Sequence, residues 1–155
     1  MKILRNRKSL EKINYKYKDK AVGMCHGVFD LLHAGHIEHF NFAKRKVDIL
    51  VVSITDDKYV NKGPNKPYNN SNKRAKVLSA LKDIDFVYIN KSPSSIPVLK
   101  SLKPKFYFKG KDYLKKDLTG NLKNEKKELA KNNGKFIHTP TKIMSSSKIH
   151  NNYNF

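Results

Sequence analysis

A chain of 155 residues whose apolar 38% gathers in compact runs has room for one domain with a buried core, and none for a second catalytic domain. No apolar run approaches the roughly 18 residues that span a bilayer and the N-terminus lacks the apolar stretch of a secretory signal, so a cytoplasmic protein without a membrane partner is expected. The formal charge of +20 points towards nucleic acid, but the cations are mostly Lys scattered along the chain, with Arg only at Arg5, Arg7, Arg45 and Arg74, and aromatic residues are not interleaved with them as stacking platforms; no specific nucleic-acid partner is expected.

In chain order, residues 1–19 are basic with a weak helical pattern through Ile3, Leu4, Leu10 and Ile13, and read as an arm or short helix ahead of a domain spanning 20–155. Strand-like and helix-like stretches then alternate. Strands are expected at 21–25, 49–54, 86–89, 106–108 and 135–137; helices at 35–46, 73–82, 96–102 and 122–132, with a short terminal helix from near Ser146. This βα repeat implies an α/β fold, a doubly wound parallel sheet with helices on both faces. The run Ile49-Leu50-Val51-Val52-Ser53-Ile54 is almost continuously apolar, as a central parallel strand covered on both sides must be. In the helix after Gly35, the residues Ile37, Phe40, Ala43 and Val47 recur at three- and four-residue steps and form the stripe expected to face the sheet. Cys25, the single cysteine, excludes an internal disulfide and reads as a buried structural residue.

Residues 55–72 hold Gly63, Pro64, Pro67 and several Asn without periodicity. A structureless connection of that length inside a compact domain is usually a binding loop, and in an open α/β sheet ligands sit at the carboxyl ends of strands. The turn Gly27-Val28-Phe29-Asp30-Leu31-Leu32-His33-Ala34-Gly35-His36 joins the first of these strands to a helix. A helix N-terminus presents backbone N–H groups and a positive dipole end to an anion, the small Ala34-Gly35 pair lets a phosphate approach, and His33 and His36 can reach it from the side. His39 continues the three-residue spacing, which admits a metal site as a rival. Such a site needs a matching fourth ligand, and three-residue steps fall about 60° short of a full helical turn, so no metal ligands are assigned.

The segment Gly27 to His36 resembles the His-X-Gly-His signature of the cytidylyltransferase-like nucleotidyltransferases, and the similarity extends through nearly the whole chain after residue 20. Lys62-Gly63-Pro64-Asn65-Lys66-Pro67 followed by Arg74, Val77-Leu78-Ser79-Ala80-Leu81 with Asp85, and Lys109-Gly110-Lys111-Asp112-Tyr113 resemble the nucleotidyltransferase domain of bacterial ADP-heptose synthases. Met144-Ser145-Ser146-Ser147-Lys148 is similar to the Ser/Thr-rich motif that opens the family's last helix.

The resemblance implies a Rossmann-like nucleotidyltransferase in which a substrate phosphate oxygen attacks the α-phosphorus of a nucleoside triphosphate, ATP or CTP, with Mg²⁺ as the usual cofactor. His33 and His36 would steady the α-phosphate and the departing pyrophosphate. Lys62 and Arg74 would neutralise phosphate charge. Gly27, Val28, Phe29 and Asp30, with Lys109, Gly110 and Asp112 and the hydroxyls of Ser145, Ser146 and Ser147, would bind the nucleotide. The acceptor implied is a phosphorylated sugar such as heptose 1-phosphate; a second resemblance, to glycerol-phosphate cytidylyltransferases, implies cytidylyl transfer to a polyol phosphate instead. A non-catalytic nucleotide- or RNA-binding module is the reading from another class. Relatives are often homodimers, which leaves a homodimer open.

Overall fold

The computed structural model describes residues 2–110 and 120–140. Within them a six-stranded, wholly parallel sheet has the order β1-β4-β3-β2-β5-β6, formed by β1 (Ile3–Leu4), β2 (Val22–Gly27), β3 (Ile49–Thr55), β4 (Phe86–Asn90), β5 (Phe106–Lys109) and β6 (Lys135–His138). The helices are α1 (Arg7–Lys16), α2 (Ala34–Lys44), α3 (Ser71–Ser79), α4 (Ile96–Leu102) and α5 (Leu122–Ala130). The terminal helix expected near Ser146 lies outside the described residues. No helix among the described residues is long and apolar enough to cross a membrane.

The alternation of side chains along β3 divides the core in two. Leu50, Val52 and Ile54 pack with Phe40, Ala43 and Val47 of the α2 region and with Ala75 and Leu78 of α3. Val51 turns the other way and meets Leu10 and Ile13 of α1, Val98, Leu99 and Leu102 of α4, and Leu129 of α5. A strand apolar on both faces needs both layers, which is the two-sided cover that its unbroken apolar run predicts. Asp85 fastens the lower end of this arrangement: its carboxylate accepts from the Leu50 amide at 2.7 Å and from Lys44 Nζ at 2.6 Å.

One detail extends the sequence reading and one differs from it. Ile3 and Leu4 pair in register with Val87 and Tyr88 at the sheet edge, and α1, a short helix within residues 1–19, buries Leu10 completely. Ile37 is 42% exposed and leaves the expected stripe, while Phe40 and Ala43 keep it. It stands in the first turn of α2, ahead of the buried Phe40 and Ala43.

Gly23 is required by close approach. A Cβ there would come within 2.8 Å of Val47 Cγ1 and 2.9 Å of Phe108 Cε2, so any side chain would push α2 and β5 apart.

Candidate active site at the strand switch point

From β2 the chain winds outward through β3 and β4, then returns to the other side of β2 to add β5 and β6. That reversal opens a crevice between the carboxyl ends of β2 and β5, the position where open α/β sheets bind ligands. The two strand ends are Gly27 and Lys109, both singled out in the sequence.

The turn after β2 is shaped by three neighbouring residues. Phe29 adopts a left-handed backbone with φ of 50°, a conformation that costs an L-residue on the order of 1–3 kcal/mol and that surrounding contacts must hold in place. Its ring packs edge-on against His36 at 5.5 Å and Phe40 at 5.1 Å between centroids. A Cβ on Gly27 would lie 3.0–3.3 Å from that ring, so glycine gives the aromatic its seat. Asp30 then reaches across to the long loop, where its two carboxylate oxygens accept from the Tyr68 amide at 2.7 Å and the Asn69 amide at 2.9 Å. Asn69 Nδ2 also donates to the Asp30 carbonyl, at 3.4 Å. Apart from one 3-10 turn, Asp57–Tyr59, residues 56–70 form neither helix nor strand, and Asp30 clasps this segment by its main chain.

His33 is the N-cap of α2, and its backbone amide donates to His36 Nδ1 at 3.3 Å. The two imidazoles stack at 3.8 Å between centroids with 27° between planes. Burial, with the charges of His33, His39 and Lys62 added, lowers the His36 pKa to about 3, so the ring is neutral at physiological pH. An Nδ1 that accepts a hydrogen bond carries no proton, which leaves the proton of the neutral ring on Nε2. His36 is thereby a hydrogen-bond donor with suppressed basicity, suited to holding a phosphate oxygen and unsuited to removing a proton.

Lys62 stands close enough to His36 for its charge to act on the ring. Arg74 is held against the same turn. It is 2% exposed, and its guanidinium donates to the carbonyls of Val28 at 2.6 Å, Asn69 at 2.9 Å and Thr55 at 2.8 Å, and to Asp57 Oδ1 at 2.6 Å. Those acceptors tie the signature turn, the end of β3 and the long loop together. Lys109 is also 2% exposed, and its ammonium donates to the His26 carbonyl at 3.4 Å. Gly110 follows directly at the end of β5. Asp112, Ser145, Ser146 and Ser147 lie outside the described residues.

Three residues of the site were not singled out by the sequence reading as members of this machinery. His26 is buried between hydroxyls, with Nδ1 3.1 Å from Ser53 Oγ and Nε2 3.4 Å from Thr55 Oγ1. His39 Nδ1 lies 2.9 Å from Thr139 Oγ1, a fully buried hydroxyl. Burial, reinforced by the charge of Lys109, lowers the pKa of His26 to about 3 and of His39 to about 4. Cys25 is buried as expected, and desolvation pushes its thiol well above the usual range, which leaves it unreactive. No group of three or more His, Cys, Asp or Glu side chains converges on a common point among the described residues.

Residues 24–152 match the family described as cytidylyltransferase-like. The chain belongs to that family of nucleotidyltransferases. Among its relatives, the bifunctional protein HldE of Campylobacter fetus subsp. fetus is 40% identical over 103 residues, covering 65% of this chain and 22% of the relative. That of Trichlorobacter lovleyi is 32% identical over 121 residues, covering 76% of this chain and 25% of the relative. The chain therefore spans about a quarter of the length of these relatives. Among solved structures, a lipopolysaccharide core biosynthesis protein from Thermoplasma volcanium superposes with a TM-score of 0.67 at 25% identity, covering 80% of this chain and 99% of that one. A pantoate-beta-alanine ligase from Francisella tularensis, 21% identical with a TM-score of 0.69 and covering 97% of this chain and 73% of that one, shares the fold.

Proposed function

We propose that the chain transfers an adenylyl group from ATP to the phosphate of a sugar phosphate of the heptose 1-phosphate class and releases pyrophosphate. The observation that carries this reading is the stacked His33–His36 pair at the N-terminus of α2, with a neutral ring that donates from Nε2, beside Lys62 at the strand switch point. An oxygen of the acceptor phosphate forms the new bond to the α-phosphorus, and the bond from that phosphorus to the bridging oxygen breaks, so pyrophosphate leaves with the electron pair. The acceptor phosphate is already an anion, and no proton has to be removed from it. What the reaction needs is donors aimed at oxygens whose charge grows as the bond to pyrophosphate breaks. His36 Nε2–H, the first-turn amides of α2 and Lys62 fit that need.

The sugar acceptor and the adenylyl group rest on the resemblance of Lys62 to Pro67 and Lys109 to Tyr113 to ADP-heptose synthases, and the likeness to a protein of lipopolysaccharide core biosynthesis favours a sugar over a simple polyol. Among the described residues no group of three or more His, Cys, Asp or Glu side chains could form a Mg²⁺ cage. A Mg²⁺ carried in by the triphosphate would be held by phosphate and water oxygens.

The test is pyrophosphate release from ATP, CTP, GTP and UTP against a panel of sugar and polyol phosphates, run beside His33→Ala and His36→Ala. ATP with a heptose 1-phosphate is expected to give the signal, and each variant is expected to lose roughly 100-fold to 1,000-fold in maximal rate with a smaller loss of nucleotide affinity. Preference for CTP with glycerol phosphate would replace the acceptor and base proposed here. Variants that stay folded and keep more than about a tenth of the rate would remove the histidines from the transition state.

A further inference from the structure

The first turn of α2 and the end of β5 face each other across the crevice, and the apolar contacts that seat α2 on the sheet do not by themselves fix its register along the strands, because such contacts are not directional. A directional link does join the two sides. Thr139, fully buried, extends the β5–β6 ladder one step past His138: its amide donates to the Lys109 carbonyl at 2.8 Å, and its hydroxyl donates to the same oxygen at 3.3 Å. With the single hydroxyl hydrogen directed at that carbonyl, Oγ1 is left as the acceptor for His39 Nδ1–H at 2.9 Å. His39 is one turn beyond His36 on α2, and the Lys109 ammonium is buried against the His26 carbonyl at the end of β2. The Lys44–Asp85 pair anchors the far end of α2, and this hydroxyl ties the end that presents His36 to the strand that presents Lys109.

We infer that His39 and Thr139 are positioning residues for nucleotidyl transfer, holding the His33–His36 pair in register with the end of β5 so that both sides of the crevice meet one triphosphate. The inference rests on the proposed role of His36. Neither residue touches the reacting atoms; the tie acts through α2. Misplacing a catalytic donor by about 1 Å can cost on the order of 100-fold in rate. Loss of the tie should therefore appear in kcat more than in KM.

The experiment compares Thr139→Val, which keeps the shape of the side chain and removes the hydroxyl, with Thr139→Ser, which restores it, and His39→Leu with His39→Asn, which keeps a donor near the Nδ1 position. Pyrophosphate release from ATP and a heptose 1-phosphate is measured, with His36→Ala alongside, and the ring resonances of His36 are followed by NMR without substrate. Thr139→Val and His39→Leu are expected to lower kcat roughly 10-fold to 100-fold with KM changed less than about threefold, the double variant to be no worse than either single one, and Ser and Asn to recover most of the rate. The His36 resonances should move in Thr139→Val and return in Thr139→Ser. Wild-type kcat and unmoved His36 resonances in Thr139→Val would overturn the inference, as would a Thr139→Ser protein as slow as Thr139→Val. If His36→Ala itself turns over normally, the proposed function fails, and the NMR comparison still decides whether the tie positions that ring.

Discussion

Lowering the pH from 7.5 to 5.0 should weaken the fold sharply, because His26 and His39 are buried as neutral rings. Their pKa values fall to about 3 and about 4, first through burial and then through the positive charge of Lys109, from an ordinary value of 6.5. A histidine depressed in the folded state takes up its proton on unfolding, so its contribution is complete above 6.5 and is lost as pH falls towards the folded values. Each pH unit inside that window is worth about 1.36 kcal/mol per group. The stretch from 6.5 to 5 then costs about 2 kcal/mol for each histidine and about 4 kcal/mol for the pair, a large share of the roughly 5–15 kcal/mol that stabilises a domain. His36 adds in the same direction. Urea unfolding reads the effect directly: with a slope of about 2 kcal/mol/M, the midpoint should drop by about 2 M between the two pH values. His39→Asn, which keeps a hydrogen-bond donor but cannot titrate, should recover about 1 M of the drop. Equal midpoints at pH 7.5 and 5.0, or a His39→Asn protein that keeps the full drop, would refute the reasoning.

Other perturbations separate positioning from chemistry. Arg74→Ala should destabilise the protein by about 3 kcal/mol or more, measured as a fall in the urea midpoint, because it strands Asp57 and three carbonyls that the buried guanidinium satisfies. Lys62→Ala should leave the midpoint within about 0.5 kcal/mol and slow turnover at least about tenfold, the loss of one charge-assisted contact to phosphate. Gly27→Ala should lower kcat about tenfold with little change in the far-ultraviolet spectrum, since the new methyl group displaces the Phe29 ring that braces His36.

The fold was legible wherever a local pattern has a single physical outcome. The apolar run of β3 can be satisfied only between two layers, and the helix expected at 96–102 and the strand expected from 106 form with those bounds as α4 and the start of β5. Legibility failed where partners are distant in sequence. Arg74 reads as a cation beside a polar loop until its acceptors, from Val28 to Asn69, are assembled around it. His39 meets a hydroxyl 100 residues away, and His26 meets one 27 residues away on the neighbouring strand, so neither pairing leaves a mark in local spacing. The signature turn was found because its elements are contiguous, and because a strand, a glycine and a helix start in that order build an anion site by backbone alone. Its strain at Phe29 was invisible, as a left-handed backbone at an aromatic residue has no sequence marker.

Asp30 and Arg74 grip the long loop through the amides of Tyr68 and Asn69 and the carbonyl of Asn69, atoms that every residue except proline can supply in full. The clamp therefore makes no demand on the side chains of residues 61–67, whereas a proline at position 68 or 69 would remove one of its donors. For redesign, the exposed positions 61 and 64 are the open ones: Lys62 carries the charge that the proposed function uses, and Gly63 and Asn65 hold left-handed backbones with φ of 95° and 58°.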